Sequence, residues 1–244
     1  MPTLTQLLEA GAHFGHKKER SHPRAKDFIY TIRDSVYVID LEQTVIKLKQ
    51  AIEYLKSQID AGKTVLFVGT KRQAKELVRK TAVNLGMPYI VERWLGGTLT
   101  NFETISKSLK KLAEQEELIK SEAFAKYTKK ERMRIEKKAH KLNLLFEGIK
   151  DLKFVPDVLF VVDTVSENVA VQEAIKMEIP IVGICDTNAN PSLVNYPIPA
   201  NDDSEKTIKL ILEAVESGVK SAKPEEKKPP TRGPADSGEK EKEK

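Results

Sequence analysis

Four short apolar runs constrain the fold of this chain more than any other feature of its sequence. They read TVLFV (64–68), PYIVE (88–92), VLFVV (158–162) and IVGIC (181–185). Runs of this length and β-branched composition are typical of parallel strands that are covered on both faces. A weaker run, NYPIPA (195–200), predicts a further edge strand.

Helical patterns fill the intervals between these runs. Apolar residues recur at helical spacing in four segments, 43–61, 71–85, 166–177 and 204–217. Ser166 and Ser204 precede two of these patterns and are predicted N-caps. The alternation of strand and helix predicts an α/β protein with a Rossmann-like, doubly wound, mostly parallel sheet. The segment FIYTIRDSVYVID (28–40) predicts a β-hairpin.

One helical stretch does not fit this alternation. Ile105, Leu109 and Leu112 are spaced by four and three, and the same spacing returns between Ile135 and Ile149. Such a narrow seam on two charged helices predicts an inserted antiparallel coiled-coil helical hairpin. The predicted domains are therefore an α/β globular domain (1–104 and 151–222), the hairpin insertion (105–150) and a disordered charged tail (223–244).

Charge is distributed unevenly along the chain. Residues 1–150 hold 29 basic and 18 acidic side chains, whereas residues 151–222 hold 5 basic and 12 acidic ones. Between Ser106 and Lys141 alone there are 12 basic and 6 acidic side chains, an excess that simple solvation of a charged hairpin does not require. The separation predicts that the first half faces a polyanion and that the acidic half faces proteins.

Composition also limits the compartment. Cys185 is the only cysteine, which excludes an internal disulfide and fits a reducing cytoplasm. No apolar run approaches the roughly 20 residues that span a bilayer, so we expect no membrane partner.

The loop after the first apolar run resembles the start of a phosphate-binding unit but lacks its essential residues. It contains only Gly69, whereas a P-loop or a dinucleotide fingerprint needs two or three glycines at fixed spacing. We therefore predict no cofactor and no small-molecule substrate. Gly69 is interpreted as a tight turn with Thr70 capping the next helix, whose N-terminus would attract an anion together with Lys71 and Arg72.

Two aspartates allow an enzymatic alternative. Asp163 and Asp186 follow predicted strands in the matching contexts VVDT and ICDT, where doubly wound enzymes carry acid–base or metal-binding groups. The same positions suit side chains that cap a strand-to-helix turn. We favour caps because no nucleophile or third carboxylate stands at useful spacing, and we predict no catalytic residue.

A histidine pair raises the question of a metal. His13 and His16 form an H-x-x-H pattern, but Gly15 weakens a helix there and only two ligands are local. Asp186 or Cys185 would have to complete the site through tertiary contact, so a metal is not predicted but the question stays open. Cys185 itself is interpreted as a small core residue.

Basic patches give the strongest functional signal. Lysine and arginine are concentrated in HKKERSHPRAKDFIYTIR, in the helix after Gly69, beside the glycine–tryptophan loop VERWLGGTLTNF, and on the hairpin. Together they predict contacts to the phosphates of a folded nucleic acid rather than base readout on a sheet. The glycine–tryptophan loop is further expected to offer backbone amides to a phosphate. The candidate RNA-binding residues are Lys17, Lys18, Arg20, Arg24, Lys26, Arg33, Lys71, Arg72, Arg93, Lys107, Lys110, Lys129, Lys130, Arg132 and Arg134.

Several stretches, in order and spacing, resemble one family over about residues 3–217. LLEAGAHFGH, VLFVGTKRQAKELV, RWLGGTLTN and PDVLFVVDTVSENVAVQEAIKMEIPIVGICDTNANP are similar to the bacterial small-subunit ribosomal protein family two (uS-two). The resemblance implies a Rossmann-like domain with a protruding coiled-coil hairpin and no enzymatic activity. It also implies binding of small-subunit ribosomal RNA between head and body of the subunit, and a role in holding the large first-numbered small-subunit protein that captures messenger RNA. By resemblance, RNA contacts fall on Lys17, Arg20, Arg24, Arg93, Lys107, Lys110, Lys129 and Arg132.

Two other functions remain as alternatives. One is a nucleotide-dependent enzyme that uses Asp163 and Asp186. The other is a protein-only adapter with the hairpin as its docking arm, whose associations would survive nuclease treatment.

Overall fold

The computed structural model describes residues 1–220, and the predicted tail (223–244) lies outside the described residues. The helices are α1 (Leu4–Ala10), α2 (Leu41–Asp60), α3 (Lys75–Leu85), α4 (Phe102–Lys120), α5 (Lys129–Phe146), α6 (Asn168–Lys176) and α7 (Glu205–Lys220). The strands are β1 (Phe14–Lys17), β2 (Ile29–Arg33), β3 (Val36–Ile39), β4 (Val65–Val68), β5 (Tyr89–Ile90), β6 (Val158–Val162), β7 (Ile181–Cys185) and β8 (Tyr196–Pro199). None of the helices between residues 1 and 220 is long and apolar enough to cross a bilayer.

The larger sheet confirms the doubly wound prediction. It has five parallel strands in the order β5-β4-β6-β7-β8, and its two edges are the shorter runs at 88–92 and 195–200. The strand order reverses between β4 and β6, which is the position where doubly wound domains commonly bind ligands.

The continuous apolar runs are explained by burial on both faces of this sheet. Val65 and Phe67 pack with α2, α3 and α7 in one buried cluster, while Leu66 and Val68 pack with α6 and with the hairpin ends in a second cluster. Because side chains alternate across a strand, each run must be apolar at every position.

A smaller antiparallel sheet, in the order β1-β3-β2, precedes the main one. The predicted hairpin at 28–40 is present, and its two-residue turn places Asp34 (φ 50°) and Ser35 (φ 62°) in the left-handed region. Positive φ at both turn positions matches the twist of the flanking strands. Neither α1 nor β1 was predicted, and His16 lies in β1, in agreement with the expectation that Gly15 weakens a helix there.

The insertion consists of α4 and α5, which contact one another and are joined by a 3₁₀ helix at Glu122–Lys126. The predicted seam residues are all buried or half-buried on the two helices. Ile105, Leu109 and Leu112 share a buried cluster with Phe146 and Ile149, so the start of α4 and the end of α5 lie together at the base. Their coiled-coil character and the domain limits stay predictions.

Candidate nucleic-acid interface

The crevice where the strand order reverses is occupied by an internal ion-pair cluster. Lys71 Nζ lies 2.6 Å from Asp202 Oδ1, 2.7 Å from Asp203 Oδ1 and 3.1 Å from Asp163 Oδ2. The Lys71 side chain is only 18 % exposed. Lys71 is therefore directed inward, and we do not retain it among the residues that face a phosphate.

Burial, hydrogen bonds and neighbouring charges shift the pKa values of Lys71 and Asp202 in this cluster. Burial alone would lower the pKa of Lys71, but hydrogen bonds to Asp202 and Asp203 outweigh it and raise the pKa. For Asp202, burial and the charges of Asp163 and Asp186 raise the pKa to about 7, despite the contact with Lys71. The cluster thus holds one lysine among carboxylates that cannot all ionise without repulsion.

The prediction that Thr70 caps the next helix is wrong, because α3 begins at Lys75. Instead, its backbone N–H and hydroxyl both donate to Glu167 Oε1, at 2.7 and 2.6 Å. Burial raises the pKa of Glu167, although these two bonds oppose the effect. The loop after β4 is thereby tied to the segment that follows β6.

Asp163 acts as the turn cap that we favoured. It accepts hydrogen bonds from the N–H groups of Val165 and Ser166 at 3.0 and 2.9 Å, and from the Ser166 hydroxyl at 2.6 Å. Burial would raise its pKa, but the bonds from Ser166 and the charge of Lys71 lower it. Ser166 is consequently not the N-cap of α6, which begins at Asn168. Ser204 does accept from Thr207 N–H, at 3.4 Å.

Of the two histidines, His16 forms an ion pair with Asp186. His16 Nδ1 lies 3.1 Å from Asp186 Oδ1, and this hydrogen bond, which outweighs desolvation, raises the pKa of His16. Among residues 1–220, no three histidine, cysteine or acidic side chains converge as metal ligands. Cys185 is buried as predicted, and burial raises its pKa to about 12.

The glycine–tryptophan loop is organised by a buried carboxylate on α6. Glu173 Oε1 accepts from Gly97 N–H at 2.7 Å and from Trp94 Nε1–H at 3.2 Å. Its Oε2 accepts from Leu99 N–H at 2.9 Å and from the N–H and hydroxyl of Thr100, both at 3.2 Å. Burial would raise the pKa of Glu173, but these hydrogen bonds lower it.

This arrangement corrects the expectation for the loop. Its backbone amides do form an anion-binding concavity, but their anion is the chain's own Glu173 and not a phosphate. Trp94 is 8 % exposed and packs in the core. Arg93, directly before it, stays exposed. The loop thus presents its arginine from a fixed backbone.

The N-terminal cations are carried by the smaller sheet and by two short 3₁₀ helices, Lys18–Arg20 and Pro23–Phe28. Lys17 on β1 and Arg33 on β2 both pair in register with Val36 on the central strand. Residues opposite one another on neighbouring strands share a face, so these two cations stand on one face about 10 Å apart, twice the strand spacing.

All predicted RNA-binding residues except Lys71 are exposed.

On the hairpin, the N-terminal turn of α5 carries the three cations Lys129, Lys130 and Arg132. They are repelled by the positive end of the helix dipole, which lies at this turn. Thr128 and Glu131 form a capping box that offsets this repulsion. Cations in this position do not stabilise the helix, which favours a role in contacting an anion.

The sequence did not predict the buried acidic residues Glu167, Glu173 and Asp202. One signal was available for Glu173. It falls on the inward face of α6 with Ala170 and Ala174, and an acidic residue in an apolar stripe requires internal donors.

Comparison with known proteins agrees with these observations. The family described as ribosomal protein S2 matches residues 7–222. A protein of Coprothermobacter proteolyticus named small ribosomal subunit protein uS2 is 47 % identical over 217 residues, which cover 89 % of this chain and 81 % of that protein. Proteins of the same name from Nitratiruptor sp. (42 % over 219 residues; 90 % and 82 % covered) and Endomicrobium trichonymphae (43 % over 221 residues; 91 % of each) are also similar. Since the family pattern spans nearly all of the described structure, the chain belongs to the ribosomal protein S2 family.

Proposed function

We propose that this chain is a non-catalytic structural constituent of the small ribosomal subunit that acts in translation by binding small-subunit ribosomal RNA. Membership of the S2 family carries the proposal. The names of the relatives, small ribosomal subunit protein uS2, point to the same particle.

The charge distribution supports RNA as the partner of the first half. Arg20, Arg24 and Arg93 are exposed, and so are the cations of the hairpin. Many separate cations on exposed surface suit phosphate contacts, each of which releases a counterion and adds to the salt dependence of binding. The Glu173 carboxylate supports this further, because it ties the loop that follows Arg93 through hydrogen bonds within the chain itself.

The acidic second half is proposed to face neighbouring small-subunit proteins. By the family resemblance, one of these is the large first-numbered protein that captures messenger RNA, and the site lies between head and body of the subunit. Residues 151–222 hold 12 acidic and 5 basic side chains, and this acidic surplus supports a protein-facing surface.

The test is a binding titration of the full chain against a small-subunit ribosomal RNA transcript at several salt concentrations. One variant reverses Lys129, Lys130, Arg132 and Arg134 to glutamate. A matched control reverses four exposed lysines of the acidic half, Lys153, Lys176, Lys206 and Lys209. We expect the hairpin variant to weaken binding and to flatten the slope of log K against log salt by about 3, at roughly 0.7 to 0.9 per lost phosphate contact. Equal effects of the two variants would contradict the hairpin as an RNA contact.

A thermal-shift screen tests the enzymatic alternative. The Asp163 carboxylate and Lys71 already bind each other in the crevice where a nucleotide would sit. We therefore expect ATP, NAD and Mg²⁺ to leave the melting temperature unchanged. A saturable stabilisation by any of them would favour the enzyme instead.

A further inference from the structure

A cavity of about 260 Å³ lies at the carboxyl ends of β6 and β7. Its walls come from the start of α6, from the loop after β7 and from His22 of the N-terminal segment. The crevice at the reversal of strand order is filled by Lys71 and its carboxylates, so this cavity is a separate feature one strand further along the sheet.

Three polar side chains of the cavity, on His22, Asn168 and Asn190, present hydrogen-bond donors. His22 Nδ1 accepts from Arg24 N–H at 3.2 Å, which leaves the ring hydrogen on Nε2. Asn190 Oδ1 accepts from Ser192 N–H at 3.1 Å, and Asn168 Oδ1 accepts from the Gln172 side chain at 3.5 Å. Asn168 and Asn190 thus use their oxygens locally, and no partner within residues 1–220 engages the Nδ2 group of either. Asn188 is the exception, because its Nδ2 lies 3.4 Å from His16 Nε2 and its buried Oδ1 has no hydrogen-bond partner among the described residues. The three donors of His22, Asn168 and Asn190 suit a ligand with several acceptors.

The remaining walls are apolar. Val165, Val171 and Leu193 line the cavity between the donors. Pockets that bury a drug-sized ligand measure roughly 300 to 1,000 Å³, so 260 Å³ suits a single flat ring rather than a complete dinucleotide. Apolar walls with a few donors at the edge are what an unstacked base requires.

We propose that this cavity binds one unstacked, carbonyl-bearing nucleobase of the RNA, with uracil as the best match because both of its carbonyl groups accept hydrogen bonds. The inference rests on the proposed function, and it assigns this one part of residues 151–222, where it meets His22 and the N-terminal cations, to RNA rather than to a protein neighbour. His22 stands in sequence between Arg20 and Arg24, both exposed, so the phosphates flanking the inserted nucleotide have cations beside them.

The test uses fluorescently labelled single-stranded octamers of uridine and of adenosine, with the full chain at low salt. Val165→Trp fills the cavity. Val169→Trp is the matched control, since Val169 is similarly exposed (55 % against 45 %) but does not line the cavity. We expect Val165→Trp to weaken uridine-octamer binding about tenfold, which corresponds to about 1.4 kcal/mol, within the roughly 1 to 3 kcal/mol found per bound base. Binding of the adenosine octamer should change less than about twofold, as should all binding by the control.

Asn168→Asp provides a second variant, because it removes one donor without adding bulk to the cavity. It should also weaken uridine-octamer binding, while circular dichroism confirms that both variants fold. Equal behaviour of Val165→Trp and Val169→Trp would overturn the inference. So would tight binding of uridine monophosphate that the uridine octamer fails to displace, because the site would then serve a free nucleotide.

The two proposals fail in different ways. If the wild-type chain binds small-subunit ribosomal RNA but the cavity variants behave as wild type, the cavity proposal is wrong and the proposed function stands. If the wild-type chain binds neither the transcript nor the octamers, the proposed function fails and the cavity proposal fails with it.

Discussion

Replacing Glu173 with glutamine tests whether its carboxylate organises the glycine–tryptophan loop. The carboxylate accepts on both oxygens, from Trp94 and Gly97 on Oε1 and from Leu99 and Thr100 on Oε2. Glutamine keeps the shape of the side chain but replaces one of these oxygens with an NH₂ group. Whichever oxygen is replaced, at least two donors then face another donor.

The size of the effect follows from the number of lost bonds. A buried donor left without an acceptor costs about 1 to 3 kcal/mol. Two such donors therefore cost about 2 to 6 kcal/mol, a large part of the roughly 5 to 15 kcal/mol that stabilises a typical domain. For a chain of this length each kcal/mol lowers the melting temperature by about 2 to 4 °C, so we expect a fall of about 4 to 24 °C.

The assay is thermal unfolding followed by circular dichroism and by the fluorescence of Trp94, the only tryptophan. We expect Glu173→Gln to lower the melting temperature and to shift the tryptophan emission to the red as the loop opens to water. Glu178→Gln, an exposed change of the same chemistry, is the control and should have little effect. If the two variants unfold alike, the carboxylate does not organise the loop and the reasoning is refuted.

Three further predictions concern the crevice and the base of the hairpin. Lys71→Ala should destabilise the fold by about 2 to 4 kcal/mol in urea titrations, because it leaves buried carboxylates unpaired. Arg72→Ala should change the free energy of unfolding by no more than about 0.5 kcal/mol and should instead weaken RNA binding. The reverse ranking would contradict the inward placement of Lys71 and the outward placement of Arg72. The pKa of Asp202 is raised to about 7 from 3.8, so between these values the folded chain binds a proton that the unfolded chain lacks. Its contribution to stability should therefore increase as pH falls from 8 to 6, and Asp202→Asn should flatten that dependence in pH-resolved melts. A Cβ at Gly148 would overlap the backbone of β5, so Gly148→Ala should cost about 1 to 3 kcal/mol, while Gly96→Ala, with open space around it, should be neutral in the same urea titration.

The sequence was sufficient for the main sheet because its signal is local. Every position of VLFVV is buried, and only a strand covered on both faces requires such a run. The hairpin seam was predictable for the same reason, since Leu109 and Leu112 repeat at helical spacing and are buried. In contrast, β1 reads FGHK and has no alternation, because its order comes from pairing with β3.

The buried polar contacts of Lys71 and Glu173 were harder to predict because their partners are distant in the chain. Lys71 contacts Asp202, 131 positions away, and Glu173 binds Leu99, 74 positions away. A lysine after a strand and a glutamate on a helix both resemble surface residues until the fold brings their partners together. That is why Lys71 was assigned to RNA and the amides near Gly97 to a phosphate.

The most direct test of the account is recovery of the tagged chain from cells by sedimentation, with and without ribonuclease. We predict that the chain sediments with small ribosomal subunits and that ribonuclease releases it, because we propose that exposed cations on the first half bind ribosomal RNA. Retention of the same partners after complete digestion of the RNA would contradict the account and would favour a protein-only adapter.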